Sequence, residues 1–280
     1  MKKAVALIVK EPNEIYLDFL QGFTQYDIYI IVDSDKDLTE LTKALRPCAK
    51  AVPAGPCAKA DPAGPCAKAD KYKMLNFIQL TDDHCTNHGF KNVNFIGIKK
   101  MVSGWDKALL FFSTIVPSKY DHVWFIEDDV FFLNEQVLTN LDSQYPNQDL
   151  IANCDFDKNN VNTNNTTNVG WLWPLISIKI EKPWYAGMMC AVRLSNTLLQ
   201  CIRWYASKYN TLFFLEALFP TITSHFKLSY VNPIELTTVT YRDVFFLEEE
   251  EEEEDQERLE THIFHPMKDL NKHLELRSNK

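Results

Sequence analysis

Residues 123–132 read Val-Trp-Phe-Ile-Glu-Asp-Asp-Val-Phe-Phe, so three consecutive carboxylates interrupt what would otherwise be one long buried strand. Each flanking apolar stretch reads alone as strand covered on both faces. Burying three unpaired carboxylates there would cost several kcal/mol apiece. The strand is therefore expected to end in a crevice, where a cation, or a ligand carried by one, compensates the charge. Side chains alternate along an extended strand, which would put Glu127 and Asp129 on one side and Asp128 on the other. Two carboxylates on one side suit a hard divalent ion, and oxygen-only ligation favours magnesium or manganese. An edge strand with solvated acids, or an acid paired to a buried arginine, is the alternative for the same residues.

Upstream, residues 4–9 and 28–32 are continuous apolar runs of strand length, separated by residues 13–25 with Ile15, Leu17, Phe19 and Leu20 at helical spacing. Continuous rather than alternating hydrophobicity predicts strands buried on both faces, as in a mostly parallel sheet flanked by helices with right-handed crossovers. Further strands are expected at 72–80, 93–98, 149–152, 185–192 and 228–240. Helices are expected at 103–115, 136–141, 195–209 with Ser195 as cap, and 213–225. The fold class is α/β, with a mixed, mostly parallel central sheet in a single domain. Residues 47–70 break the pattern with a nine-residue repeat of Pro, Cys, Ala, Lys and Gly, which offers too little apolar area to order itself and is expected to be a surface insertion. The Asn/Thr-rich residues 153–170 are long enough for a lid or an acceptor flap, and equally for plain disorder.

Residues 248–255 are all acidic and carry eight negative charges, so the rest of the chain stands near −1 against −9 for the whole. That acidic run is expected to be a solvated, mobile loop. A near-neutral body without a basic stripe gives no electrostatic footprint for nucleic acid. The first apolar run ends at Lys10 and Glu11 after six residues, too short for an export signal, and no window reaches the length of a membrane span. A cytoplasmic location is expected. Seven cysteines, three of them carried by the repeat, form neither a disulfide framework nor a zinc spacing.

The acidic triplet, in this order of elements, resembles the DxD motif of the GT-A glycosyltransferases, whose carboxylates hold a divalent metal that in turn holds the donor diphosphate. The resemblance covers nearly the whole chain outside 47–70 and the acidic run. It implies a Rossmann-like GT-A domain over 1–280, with a nucleotide-sugar-binding half at 1–135 and an acceptor-binding half at 136–280. It further implies Mn2+ or Mg2+ held by Glu127, Asp129 and His265, the histidine lying in Phe264-His265-Pro266-Met267-Lys268, with His262 as the competing residue. Lys10, Asp33, Asp35, Lys107, Asp128 and Lys268 would then contact the donor. For Asp35 a helix cap, and for Lys107 and Lys268 simple exposure, are the structural alternatives.

Glu216, the one carboxylate in Phe213-Phe214-Leu215-Glu216-Ala217-Leu218, resembles the position of the catalytic base in inverting members. Desolvation there would raise its pKa toward neutrality; an acid favoured by the helix dipole is the alternative. Many relatives have Glu-Asp where this chain has Glu-Ala. Trp171, Trp173, Trp184, Tyr185 and Gly187 gather aromatic faces around a glycine, which suits stacking on sugar rings as well as it suits core packing. The implied activity is transfer of a sugar from a UDP-sugar, with UDP-xylose suggested for a compact pocket, to a glycan or glycoprotein hydroxyl, with inversion. Retaining transfer and a non-catalytic carbohydrate-binding protein are the alternatives. The repeats and the missing anchor look like a glycosyltransferase of a large algal DNA virus, similar to those that build capsid glycans in the host cytoplasm.

Overall fold

Strand β1 (Lys3–Val9) is buried along almost its whole length, and its side chains divide between two cores. Ala4, Ala6 and Ile8 join one core, while Val5, Leu7 and Val9 join the other. That two-sided burial is why the run reads as unbroken apolar sequence, and each fully covered Val, Leu or Ile contributes roughly 1.5–3 kcal/mol. The computed structural model describes residues 1–38, 72–95, 102–154, 172–240 and 252–278, with the backbone alone for 252–256.

Helix α1 (Glu14–Leu20), capped by the Asn13 side chain, leads to β2 (Asp27–Val32), which pairs in parallel with β1. Next come β3 (Leu75–Ile78), α2 (Asp82–Asn87), α3 (Gly104–Leu110) running on into a π-helical turn at Phe111–Ile115, and β4 (His122–Glu127). The chain continues through α4 (Glu135–Gln144), β5 (Leu150–Asn153), β6 (Met188–Ser195), α5 (Asn196–Tyr209) and α6 (Leu215–His225). It ends with β7 (Tyr230–Val231), α7 (Glu252–Thr261) and α8 (Leu270–Ser278).

Among the described residues the seven strands lie in the order β3-β2-β1-β4-β6-β5-β7, with β6 running against the other six. The domain is therefore mixed α/β, with a mostly parallel sheet flanked by helices. One face packs on α3, α5 and α6 through Trp105, Phe125, Tyr205 and Phe219; the other packs on α1 and α4 through Leu17, Trp124 and Leu138. Because β1, β2 and β4 are parallel and adjacent, their C-terminal ends share one edge, the edge at which open α/β sheets place ligands. Asp142 and Arg193, both buried, pin α4 to β6. Arg193 donates to Asp142 Oδ1 at 2.8 Å, and Tyr26 and Lys3 engage the other carboxylate oxygen at 2.6 and 2.9 Å.

Several expectations need correction. The strand through the acids stops at Glu127, and Asp128 and Asp129 lie in a turn, so strand alternation does not set their directions. Of the strand expected at 93–98, residues 96–98 lie outside the described residues and 93–95 are not strand; Val93 instead receives the amide of Leu215 and gives its own amide to Asp106. The 185–192 strand is displaced to Met188–Ser195, and 228–240 holds the two-residue β7, a 3-10 turn at Ile234–Leu236 and an isolated bridge from Val239 to His265. The acidic run is helical from Glu252 onward, as glutamate's helix propensity allows. The repeat at 47–70 and almost all of the 153–170 segment lie outside the described residues. Among the described residues, Cys85, Cys154, Cys190 and Cys201 are free thiols, and no helix is long and apolar enough to cross a membrane.

Candidate active site

Beyond the end of β4 the backbone is stitched to the C-terminal strap. Phe131 and Phe264 exchange both amide hydrogen bonds at 2.9 and 2.8 Å, the Met267 amide donates to the Asp129 carbonyl at 2.6 Å, and the His265 amide donates to Thr238 at 3.2 Å. On the other side, the Tyr16 hydroxyl donates to the Asp128 carbonyl. Held from both sides, the turn presents Asp129 to His265, with Nε2 3.3 Å from Oδ1. His265 Nδ1 sits 3.0 Å from the Thr240 carbonyl, which can only accept, so Nδ1 carries the proton. In the neutral ring Nε2 is then a lone pair facing a carboxylate oxygen.

Two acceptors face to face require a positive charge between them or on the ring. Asp129 Oδ1 is buried and makes no hydrogen bond among the described residues. Burial lowers the pKa of His265, but Asp129 outweighs it and the net shift is upward. The arrangement fits either an imidazolium or a bound cation, and an orphaned carboxylate oxygen opposite an aimed imidazole nitrogen is what a divalent ion would satisfy.

Glu127 projects into the same space. Its Oε1 accepts from the indole of Trp105 at 2.5 Å, and burial pushes its pKa up. One donor atom from each of Glu127, Cys190 and His265 lies within 4.8 Å of the others. Cys190 was not singled out in the sequence. It lies in the antiparallel β4–β6 arrangement next to Ala191, whose partner Ile126 precedes Glu127, and a meeting across 63 residues leaves no local signal. Cys190 adds a sulfur to the carboxylate and imidazole donors expected from the sequence. His262, the alternative histidine, points elsewhere and contacts the Thr261 hydroxyl at 2.8 Å.

Glu216, in the first turn of α6, is buried against this cluster. Burial first, and then the charge of Glu127, push its carboxyl up to about 7, with His265 pulling the other way. The Gly187 amide donates to the Glu216 carbonyl at 3.0 Å and so ties the start of α6 to the segment before β6. Glu127, Asp129, Cys190, Glu216 and His265 therefore share one electrostatic environment.

The residues expected at the donor divide differently. Lys107 is buried, with its ammonium 2.5 Å from Asp33 Oδ1 and 3.1 Å from Asp82; burial lowers its pKa, but these carboxylates outweigh it and hold it raised. The Gly104 amide donates to the other Asp33 oxygen at 2.9 Å. Gly104 is required there, since a Cβ would come 2.6 Å from Ile8. Asp33 and Lys107 thus lock α3 to the ends of β1 and β2, with both Asp33 oxygens already engaged. Asp35 and Lys107 line a cleft of about 390 Å³ together with Ser34, Gln79 and Thr81. Lys10, Asp128 and Lys268 are exposed near the strand ends.

Of the aromatic group, Trp171 lies outside the described residues. Trp173 and Trp184 have ring centroids 6.1 Å apart, and the Trp184 indole donates to Ile180. The Tyr185 amide and carbonyl are both held by Thr221. Gly187 does not open space for a ligand, because a Cβ there would lie 2.6 Å from the Asn153 carbonyl and from Cys154 Cβ. Its backbone is close-packed on the chain itself.

No protein-family model matches the chain, and no curated protein matches it. Among solved structures it is similar to an active-site mutant of LgtC, at 11% identity and a TM-score of 0.45, covering 99% of this chain and 95% of that one. It is also similar to mouse xyloside xylosyltransferase 1 in its apo form, at 10% identity and a TM-score of 0.43, covering 94% and 97%.

Proposed function

We propose that the chain is a divalent-metal-dependent glycosyltransferase that moves a sugar from a nucleotide-sugar donor to a hydroxyl of a glycan acceptor with inversion. The observation that carries this reading is the meeting of Asp129 and His265 at 3.3 Å beside half-buried Glu127 and buried Glu216, at the C-terminal ends of the parallel strands, where open α/β sheets place ligands. Asp129, His265 and Glu127 would hold Mn2+ or Mg2+. When bound, such an ion supplies positive charge against the diphosphate that leaves.

The chain's own residues do the rest. Trp105 fixes the Glu127 carboxylate and the Thr240 carbonyl fixes the His265 tautomer, so the donor atoms are oriented before ligand arrives. Glu216, with its pKa raised to about 7, is poised to take the proton of the acceptor hydroxyl. The acceptor oxygen then bonds to the anomeric carbon as that carbon's bond to the donor phosphate breaks, and the electron pair leaves on the nucleoside diphosphate. The cleft lined by Ser34, Asp35, Gln79 and Thr81 would take the nucleoside, with residues 1–135 as the donor half. Trp173, Trp184 and Tyr185 would border the acceptor in the half that follows. A uracil nucleotide is the base we favour, with UDP-xylose as the first sugar to try.

A thermal-shift panel of nucleotide sugars, each with and without manganese, tests the reading. One donor should raise the melting temperature only when the metal is present. A panel in which no nucleotide sugar does so would overturn it and leave a non-catalytic carbohydrate-binding protein in its place.

A further inference from the structure

We propose that Cys190 is itself a metal ligand, which makes this centre selective for a thiophilic divalent ion of the zinc class over magnesium. The inference rests on the proposed metal site and deepens it. The β4–β6 ladder ends by pairing Ile126 with Ala191, and the next residues along the two strands are Glu127 and Cys190. Its sulfur lies within 4.8 Å of donor atoms of both Glu127 and His265, and no other such group of three occurs among the described residues. Cys190 is buried in the same cluster as Ile126 and Ala191, with its sulfur within reach of the carboxylate.

Carboxylate, imidazole and thiolate together are a zinc-type donor set, whereas magnesium takes oxygen almost exclusively. Binding breaks the S–H bond heterolytically: the electron pair stays on sulfur and forms the sulfur–metal bond, and the proton leaves to solvent. The site would then bind zinc or cadmium far more tightly than its oxygen ligands alone would allow.

The test uses cadmium, which reports sulfur ligation by a charge-transfer band in the ultraviolet. Cys48, Cys57 and Cys66 are first replaced by serine in the full chain, so that the repeat contributes no thiolate. One equivalent of Cd2+ should produce the band, and Cys190→Ser should abolish it. The same substitution should lower cadmium affinity about 100-fold and manganese affinity less than about fivefold. No band, or a band unchanged in Cys190→Ser, overturns the proposal. Should Cys190→Ser fail to fold, cadmium NMR on the parent chain decides: a resonance in the sulfur-ligated range supports the assignment, and one in the all-oxygen and nitrogen range overturns it. Manganese-linked UDP binding without any cadmium–sulfur signature would sink this inference alone, whereas failure to bind any divalent ion would sink the proposed function too.

Discussion

Glu216→Gln should stabilise the metal-free protein at alkaline pH while destroying turnover. The carboxyl is raised from 4.5 to about 7, chiefly by burial, so the folded state holds its proton more tightly than the unfolded chain does. A raised carboxylate pKa makes folding less favourable as pH climbs between those two values, and the loss is complete above the folded pKa. Linkage over that interval gives a loss of about 2–3 kcal/mol between pH 5 and pH 8, an amount glutamine cannot lose because it does not ionise. Urea unfolding of both proteins in chelator-treated buffer measures it. The variant should be nearly isostable at pH 5 and more stable by about 2 kcal/mol at pH 8. A stability difference that does not change with pH would refute the buried-base assignment. Activity should fall by about 100-fold or more, with donor binding retained.

Three further outcomes are expected. Arg193→Met leaves Asp142 buried without its guanidinium partner, and denaturant unfolding should show a loss of about 3–5 kcal/mol; under 1 kcal/mol would mean Lys3 and Tyr26 suffice. Gly187→Ala must displace the Asn153 carbonyl or Cys154, and should cost about 1–3 kcal/mol in the same assay, with an unchanged midpoint contradicting the close approach. Asp129→Asn removes a full negative charge opposite His265 and should weaken manganese binding at least about tenfold, read by the water-relaxation enhancement of bound Mn2+.

Sequence patterning made the sheet legible where burial was two-sided. The runs at 4–9 and 28–32 emerge as β1 and β2 within a residue or two, because no exposed face interrupts their hydrophobicity. Ser195 could be read as a cap from the polar residue ahead of an apolar-periodic segment, and its hydroxyl does accept from the Leu198 amide. Helix α2 escaped notice because Asp82–Asn87 buries only Cys85 and carries no apolar stripe. The 228–240 segment misled because its apolar residues pack from 3-10 and irregular backbone, as Leu236 and Val239 do, without a ladder.

At the candidate site the same division holds. Acids ending an apolar strand stand out in any sequence, and a histidine in an apolar strap does so more weakly. The meeting of Cys190 with Glu127, and of Lys107 with Asp33 and Asp82, depends on strand register and helix placement, which no local pattern encodes. Gly187 looked like an opening for ligand because a glycine among aromatics carries no mark of which backbone it must admit.

Titration calorimetry of UDP against the protein, with and without manganese, tests the central claim most directly. Saturable UDP binding that requires the metal and disappears in His265→Ala is the expected result. UDP binding of equal strength in chelator, or none under either condition, would contradict it.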